Sequence, residues 1–183
     1  MSRAFRVAFS GIIAALCIAL MLCTGLFPFA TVALPAVAGL LMVPVVIESG
    51  VKWAYLTYAV VAIVSFFITP DPSAMLMFVF FFGFYPIAKS SIEQIHKNML
   101  EWALKFLILN VAIVVLFLLA RWYLGLAQVL PNMYVFGQYT FLILWLAANA
   151  VFFIYDLALT RCIGAYLNWF KPNYLDKMRR NSR

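Results

Sequence analysis

The chain has 183 residues, of which 67% are hydrophobic and 10% charged, with a net charge of +7. Soluble domains carry about 25% charged residues, so this chain has too little polar surface to cover its apolar mass in water, and its composition calls for lipid as solvent. A separate soluble domain is excluded. So is a nucleic-acid binder, because the charges sit in connections and tails beside apolar runs.

The predicted fold is an all-α integral membrane protein with six transmembrane helices and both termini cytoplasmic, a single domain over residues 1–183. Span one covers about 7–27. Its basic start and apolar run are like those of a signal peptide. It lacks a small-x-small cleavage site and more spans follow, so it reads as a retained helix. Gly11, Ala15 and Ala19 recur there at four-residue steps, with Ala4 and Ala8 before them. Such steps make a smooth stripe on which a second helix packs closely. Span two, about 31–47, contains Pro35 and Pro44, which predict an irregular helix. Span three, about 53–69, ends at the breaker Pro70-Asp71-Pro72-Ser73. Span four, about 74–88, is short and Phe-rich, with Gly83 and Pro86 near its inner end.

An inner linker over about 90–101 follows. Ser90-Ser91-Ile92-Glu93 has capping-box spacing with Ser90 as N-cap. Glu93–Lys97, Lys97–Glu101 and Glu101–Lys105 are successive i,i+4 pairs. Ile92, Ile95, Met99, Trp102 and Phe106 would line one face. The linker therefore reads as an amphipathic surface helix, serving as an interfacial anchor or a docking surface for a cytoplasmic partner. Span five covers about 102–120, an outer connection runs over 121–138, span six covers about 139–163, and a basic tail fills 164–183.

Of the thirteen Lys and Arg residues, all but Arg121 fall on one side of this plan. Basic short loops stay inside during insertion, which fixes the predicted orientation. Trp53, Tyr55, Trp102, Trp122, Tyr123, Tyr166 and Trp169 fall near predicted boundaries, as belt aromatics do. The cluster Lys171, Lys177, Arg179, Arg180 and Arg183 suits an anionic inner leaflet. A bacterial-type inner or plasma membrane fits this topology.

No catalytic residue is assigned. The sequence has no GxxxxGK[ST] loop, no HExxH and no GxSxG. Its one histidine, His96, has no nucleophile partner. Carboxylates at metal-ligand spacing are missing, and Cys17, Cys23 and Cys162 read as small apolar residues. Neither a metal nor a cofactor is expected. Asp156 lies within span six, where pairing with Arg161 or a neighbouring polar group would offset its burial. Glu48 and Lys52 share i,i+4 spacing. Asn110 and Asn149 lie deeper and either bond between helices or bind a solute.

On the outer face, Asp71 stands on one loop. Arg121, Trp122, Tyr123, Gln128, Asn132, Tyr134, Gln138 and Tyr139 stand on or near another. Aromatic walls with a few polar groups are what small-molecule sites use. This set, with Asn110 and Asn149, forms the candidate substrate rim, with Arg121 placed to meet a carboxylate or phosphate. Arg121 equally suits a snorkelling anchor.

The length, the six-span plan with both ends inside, the steps Ala4-x-x-x-Ala8 and Gly11-x-x-x-Ala15, and the stretch Ala33-Leu34-Pro35-Ala36-Val37-Ala38-Gly39-Leu40-Leu41 together resemble the substrate-binding S component of energy-coupling factor (ECF) transporters. The chain differs in a short first outer loop and in lacking a Gly-rich run in span two. The resemblance implies capture of a vitamin or similar micronutrient from outside, and delivery by reorientation in the bilayer. It implies as partners a transmembrane coupling subunit, held through Ala4, Ala8, Gly11, Ala15 and Ala19, and two ATPase subunits that hydrolyse the ATP. A non-transport scaffold of the rod-shape-determining MreD type has a similar size and span number. A third alternative is an intramembrane enzyme acting on lipid.

Overall fold

The computed structural model describes residues 3–27, 30–95, 97–123 and 139–175. The first helix, α1 (Arg3–Cys23), turns Ser10, Ile13, Ala14, Cys17 and Met21 into the bundle, the three- and four-residue spacing of one helix face. It begins and ends about four residues earlier than predicted. Thr24 closes it by donating its hydroxyl to the Met21 carbonyl (2.7 Å). Gly25 then passes against Pro70, where an added Cβ would lie 2.7 Å from the proline ring.

Span two is broken as its prolines predict. It consists of α2 (Ala33–Leu40) and α3 (Met42–Ser49), joined at Leu41. Pro44 has no N–H to offer the Leu40 carbonyl, and its ring crowds the preceding turn, which places the break one turn upstream. Gly50, at φ +90°, in the left-handed region that glycine tolerates, turns the chain into α4 (Val51–Ile68).

Span four has three parts. Asp71 caps α5 (Pro72–Met77), accepting a bond from the Ser73 amide (2.9 Å), and Pro72 opens the helix, where a missing N–H costs nothing. A π-helical turn follows (Phe78–Phe82), closed by the Gly83 amide on the Phe78 carbonyl (2.8 Å). The Tyr58 hydroxyl donates to the Val79 carbonyl inside this turn (2.5 Å). Then α6 (Tyr85–Ile92) begins, with Pro86 in its first turn. Pro86 leaves the Phe82 carbonyl without a donor four residues on. The α2 backbone at Gly39 lies against that oxygen, where a Cβ would be 2.3 Å away.

The predicted linker helix does not form. Ser90 lies inside α6 and donates its hydroxyl to the Ile87 carbonyl (2.7 Å) instead of capping a new helix. After a 3-10 turn (Glu93–Ile95) the next helix, α7, starts at Asn98 and runs to Tyr123. The predicted apolar stripe is split by this interruption: Ile92 is buried, whereas Met99 is 90% exposed. The last helix, α8 (Thr140–Ala165), continues as a π-helical segment (Tyr166–Leu175) into what was expected to be tail.

Among the described residues, five helical runs are long and apolar enough to cross a membrane: Arg3–Cys23, Val51–Ile68, Pro72–Ile95, Met99–Leu119 and Leu142–Trp169. The broken run Ala33–Ser49 is a shorter apolar element. Span four is the centre: its most apolar stretch is 67% buried, against 17–22% for the other four. Two cores meet along it. One joins Ile13, Cys17 and Met21 of α1 to Ala38, Met42, Val61 and Phe78. The other joins Phe81, Phe82 and Tyr85 to Leu109, Phe152, Tyr155 and Leu159. Large apolar side chains such as Phe67 and Ile154 face outward, as lipid solvent permits.

Candidate functional site

The second core ends, beside the C-terminal part of α8, in a buried network of charges. Tyr85 and Lys89 are one turn apart on α6, Lys105 is on α7, and Asp156 is on α8. Lys89 is 1% exposed, Lys105 2% and Asp156 4%. The Lys89 ammonium meets Asp156 Oδ1 (2.5 Å), Glu93 Oε1 (2.7 Å) and Thr160 Oγ1 (3.0 Å). The Lys105 ammonium meets Glu101 Oε1 (2.7 Å), Glu93 Oε1 (3.1 Å) and Asp156 Oδ2 (3.3 Å). Each ammonium has three donors, and each finds three acceptors. The Tyr85 hydroxyl also donates to Asp156 Oδ1 (2.6 Å). Lys105 lies over the Trp102 ring, 5.2 Å from its centroid. All donors are therefore used within the protein. The network ties three helices together and leaves no cation free for a ligand.

Several expected pairings give way to this arrangement. Asp156 pairs with Lys89 and Lys105, not with Arg161, which is exposed. Glu93 pairs with Lys89 and Lys105 in place of Lys97, and Glu101 with Lys105 alone of its two i,i+4 lysines. Lys97 lies where the helix is interrupted, so helical spacing does not bring it to either partner. Glu48 pairs with Lys171 (2.9 Å). Its expected partner, Lys52, is across the Gly50 turn and exposed. Sequence reading missed Tyr85 and Lys89. Their signal was present: Tyr85, Lys89 and Glu93 recur at four-residue steps, and a lysine at the end of an apolar span needs a counter-charge.

The outer side is arranged differently. Asp71 is committed to capping α5. Asn110 accepts the Trp145 indole N–H (2.7 Å), an α7–α8 bond, and donates to the Phe106 carbonyl (2.8 Å). Asn149 donates within its own helix, to the Trp145 carbonyl (2.8 Å). Of the two roles open to these amides, interhelical bonding is realised at Asn110. Arg121, Trp122 and Tyr123 form the last turn of α7, and their side chains lie outside the described residues. His96, Gln128, Asn132, Tyr134 and Gln138 also lie outside them, while Tyr139 is exposed at the start of α8.

The burial of α8 changes sharply along its length. Residues 142–147 are all exposed. Six consecutive positions cover every face of a helix at 3.6 residues per turn, so no face of this stretch is fully covered, although α7 reaches it through the Trp145–Asn110 bond. From Phe152 onward one face of the helix is buried, through Phe152, Tyr155, Asp156 and Leu159, while Phe153, Ile154 and Leu157 remain exposed. Phe81, Phe82, Tyr85, Phe152 and Tyr155 interlock as rings with centroids 5.1–6.2 Å apart. They form an aromatic layer between residues 142–147 and the charged network. A separate groove of about 340 Å³ between α4 and α5 is lined by apolar side chains alone, among them Phe66, Phe67, Leu76 and Phe80. It offers nothing to orient a polar solute.

The small-residue stripe of α1 also has a definite place. Ala4, Ala8, Gly11, Ala15 and Ala19 are all exposed, opposite the side that enters the core. No atom lies within 4 Å of a Cβ added at Gly11.

Comparison with protein-family models, with curated proteins and with solved structures finds no match to this chain.

Proposed function

We propose that this chain is the membrane-embedded capture subunit of an ECF-type importer of a vitamin or similar micronutrient. It crosses the membrane six times with both ends cytoplasmic, in a bacterial-type cell membrane. It takes its solute from outside and relies on a transmembrane coupling subunit and two ATPase subunits for energy. The observation that carries this reading is the two-part burial of α8. Residues 142–147 are exposed and tied to α7 by the Trp145–Asn110 bond, whereas Phe152, Tyr155, Asp156 and Leu159 are buried beyond a layer of rings. Solute capture from outside requires an outer half able to part from its neighbours above a closed floor, and thin packing over a layer of rings supports that. The exposed stripe from Ala4 to Ala19 supports a helix partner, because small side chains let two backbones approach closely in lipid.

Two of the proposed rim groups, Asp71 and Asn110, are already bonded within the protein. That favours the MreD-type scaffold as the second reading, since a scaffold needs the stripe and no solute. A lipid-modifying enzyme gains no support, because the charged groups of the inner network are consumed by one another.

The test is purification from native membranes, followed by mass spectrometry of retained small molecules and of co-purifying proteins. The capture reading expects a bound micronutrient together with ATPases. A clean preparation with neither, or one with cell-shape proteins, would overturn it. Ala15→Leu should weaken assembly about tenfold while leaving the isolated chain folded, since one misplaced side chain at a close helix contact costs on the order of 1–3 kcal/mol. Undiminished assembly would remove α1 as the interface.

A further inference from the structure

We propose that the outer half of α8 is a gate that swings on a fixed inner pivot and is held closed by the Trp145–Asn110 hydrogen bond. This deepens the capture reading by assigning the device that admits the solute, and it rests on that reading only for its purpose.

The pivot is defined by what holds α8 below residue 151. Phe152 is buried among the rings of Phe81, Tyr85 and Phe106. The Tyr155 hydroxyl meets the Ala36 carbonyl of α2 (3.5 Å). Asp156 is held by Tyr85, Lys89 and Lys105, from two different helices. Between residues 142 and 151 no side chain is buried. Residues 142–147 are exposed, and the Trp145 indole on Asn110 is the interhelical bond found in this half among the described residues. A helix packed on three neighbours at one end and, among the described residues, joined by one exposed hydrogen bond at the other opens locally at the second end first.

The lever has useful dimensions. Leu142 stands ten residues above Phe152, about 15 Å along the axis, so a swing of about 15° moves it by roughly 4 Å. The same swing moves Asp156, four residues below the pivot, by only about 1.6 Å. The inner clamp can follow such a displacement because both of its cations are lysines. An ammonium is a compact charge on a flexible four-carbon stem and does not require the fixed geometry of a guanidinium. Small residues at 147–150 (Ala147, Ala148, Asn149, Ala150) separate the arm from the pivot and present little side-chain bulk to obstruct it.

The experiment measures spin-label distances in the full chain in lipid nanodiscs, with Cys17, Cys23 and Cys162 replaced by alanine. One pair, at Ile68 and Leu142, reports the outer half of α8. The other, at Leu56 and Leu157, reports the inner half. All four positions are exposed. The gate predicts a broader distribution for the outer pair than for the inner pair. It further predicts that Asn110→Leu shifts the outer pair by about 3–5 Å, the displacement of the lever, and the inner pair by no more than about 2 Å. Trp145→Phe keeps an aromatic side chain, though a smaller one, and removes the N–H donor, so it serves as the second variant. A shift of the outer pair about twice that of the inner pair, or larger, in either variant supports the gate. Equal widths with no shift in both variants overturn it, and so does an equal shift of both pairs, which would mean that the helix moves as a whole and not about a pivot. Mass spectrometry of the preparation that retains Asn110 and Trp145 is independent of these distances. A mobile outer pair with no retained solute would leave the gate standing and remove the capture reading.

Discussion

Asp156 is the point at which three helices depend on one side chain. Replacing it by alanine removes an acceptor from Lys89, an acceptor from Lys105, and the partner of the Tyr85 hydroxyl. Lys89 and Lys105 remain buried, at 1% and 2% exposure, each with two acceptors in place of three. With all groups ionised the network holds two ammoniums and three carboxylates, a net charge of −1, so the substitution brings the sum to zero. Overall charge balance therefore predicts little loss, while local satisfaction predicts a large one. The local effect dominates, because Glu93 and Glu101 stand at the more exposed edge and do not replace a carboxylate between the two lysines. Breaking a buried pair by removing one partner costs on the order of 3–5 kcal/mol. The assay is reversible unfolding in mixed detergent micelles, followed by tryptophan fluorescence against the fraction of denaturing detergent. Asp156→Ala should lose about 3–5 kcal/mol. The combined variant Lys89→Met, Lys105→Met, Asp156→Leu should recover most of that loss, since an apolar replacement of the whole buried set leaves no stranded charge. A loss below about 0.5 kcal/mol for Asp156→Ala, the size of an ordinary surface substitution, would refute the description of this network as a buried clamp.

Three further outcomes follow from backbone contacts. Gly39→Leu should prevent stable folding, and Gly39→Ala should cost about 1–3 kcal/mol in the same titration, because a Cβ there meets the Phe82 carbonyl at 2.3 Å and the Tyr155 hydroxyl at 2.6 Å. Tyr58→Phe removes the donor to the Val79 carbonyl and should cost about 1 kcal/mol; an unchanged midpoint would show that the π-helical turn does not need it. Asp71→Ala removes the cap of α5 and should also cost about 1 kcal/mol, with Asp71→Asn losing less than half of that because its amide oxygen still accepts the Ser73 N–H.

Much of the backbone was legible along the chain. Pro44 broke span two one turn upstream, Pro70-Asp71-Pro72 ended span three and started α5, and Gly83 with Pro86 marked the change in span four. Each is a local consequence of a missing N–H or a missing Cβ. The linker was misread because capping-box spacing at Ser90 is compatible with the interior of a helix that has not ended. The pairings of Glu48 and Glu93 were misread for a related reason. An i,i+4 relation holds only while the helix continues, and breaks at Gly50 and near residue 96 cancel it.

The sequence by itself determined the solvent, the all-helical class and most of the breaks, because these depend on composition and on single-residue covalent geometry. Only the tertiary structure decided which side of each helix is buried. In water an apolar stripe marks the core, but in lipid Phe67 can face outward as readily as Phe78 faces inward, since hydrocarbon is as good a neighbour as another apolar side chain. The inner clamp shows the same limit. Lys89 and Asp156 are 67 residues apart in the chain, and nothing local to either one names the other until α6, α7 and α8 have packed.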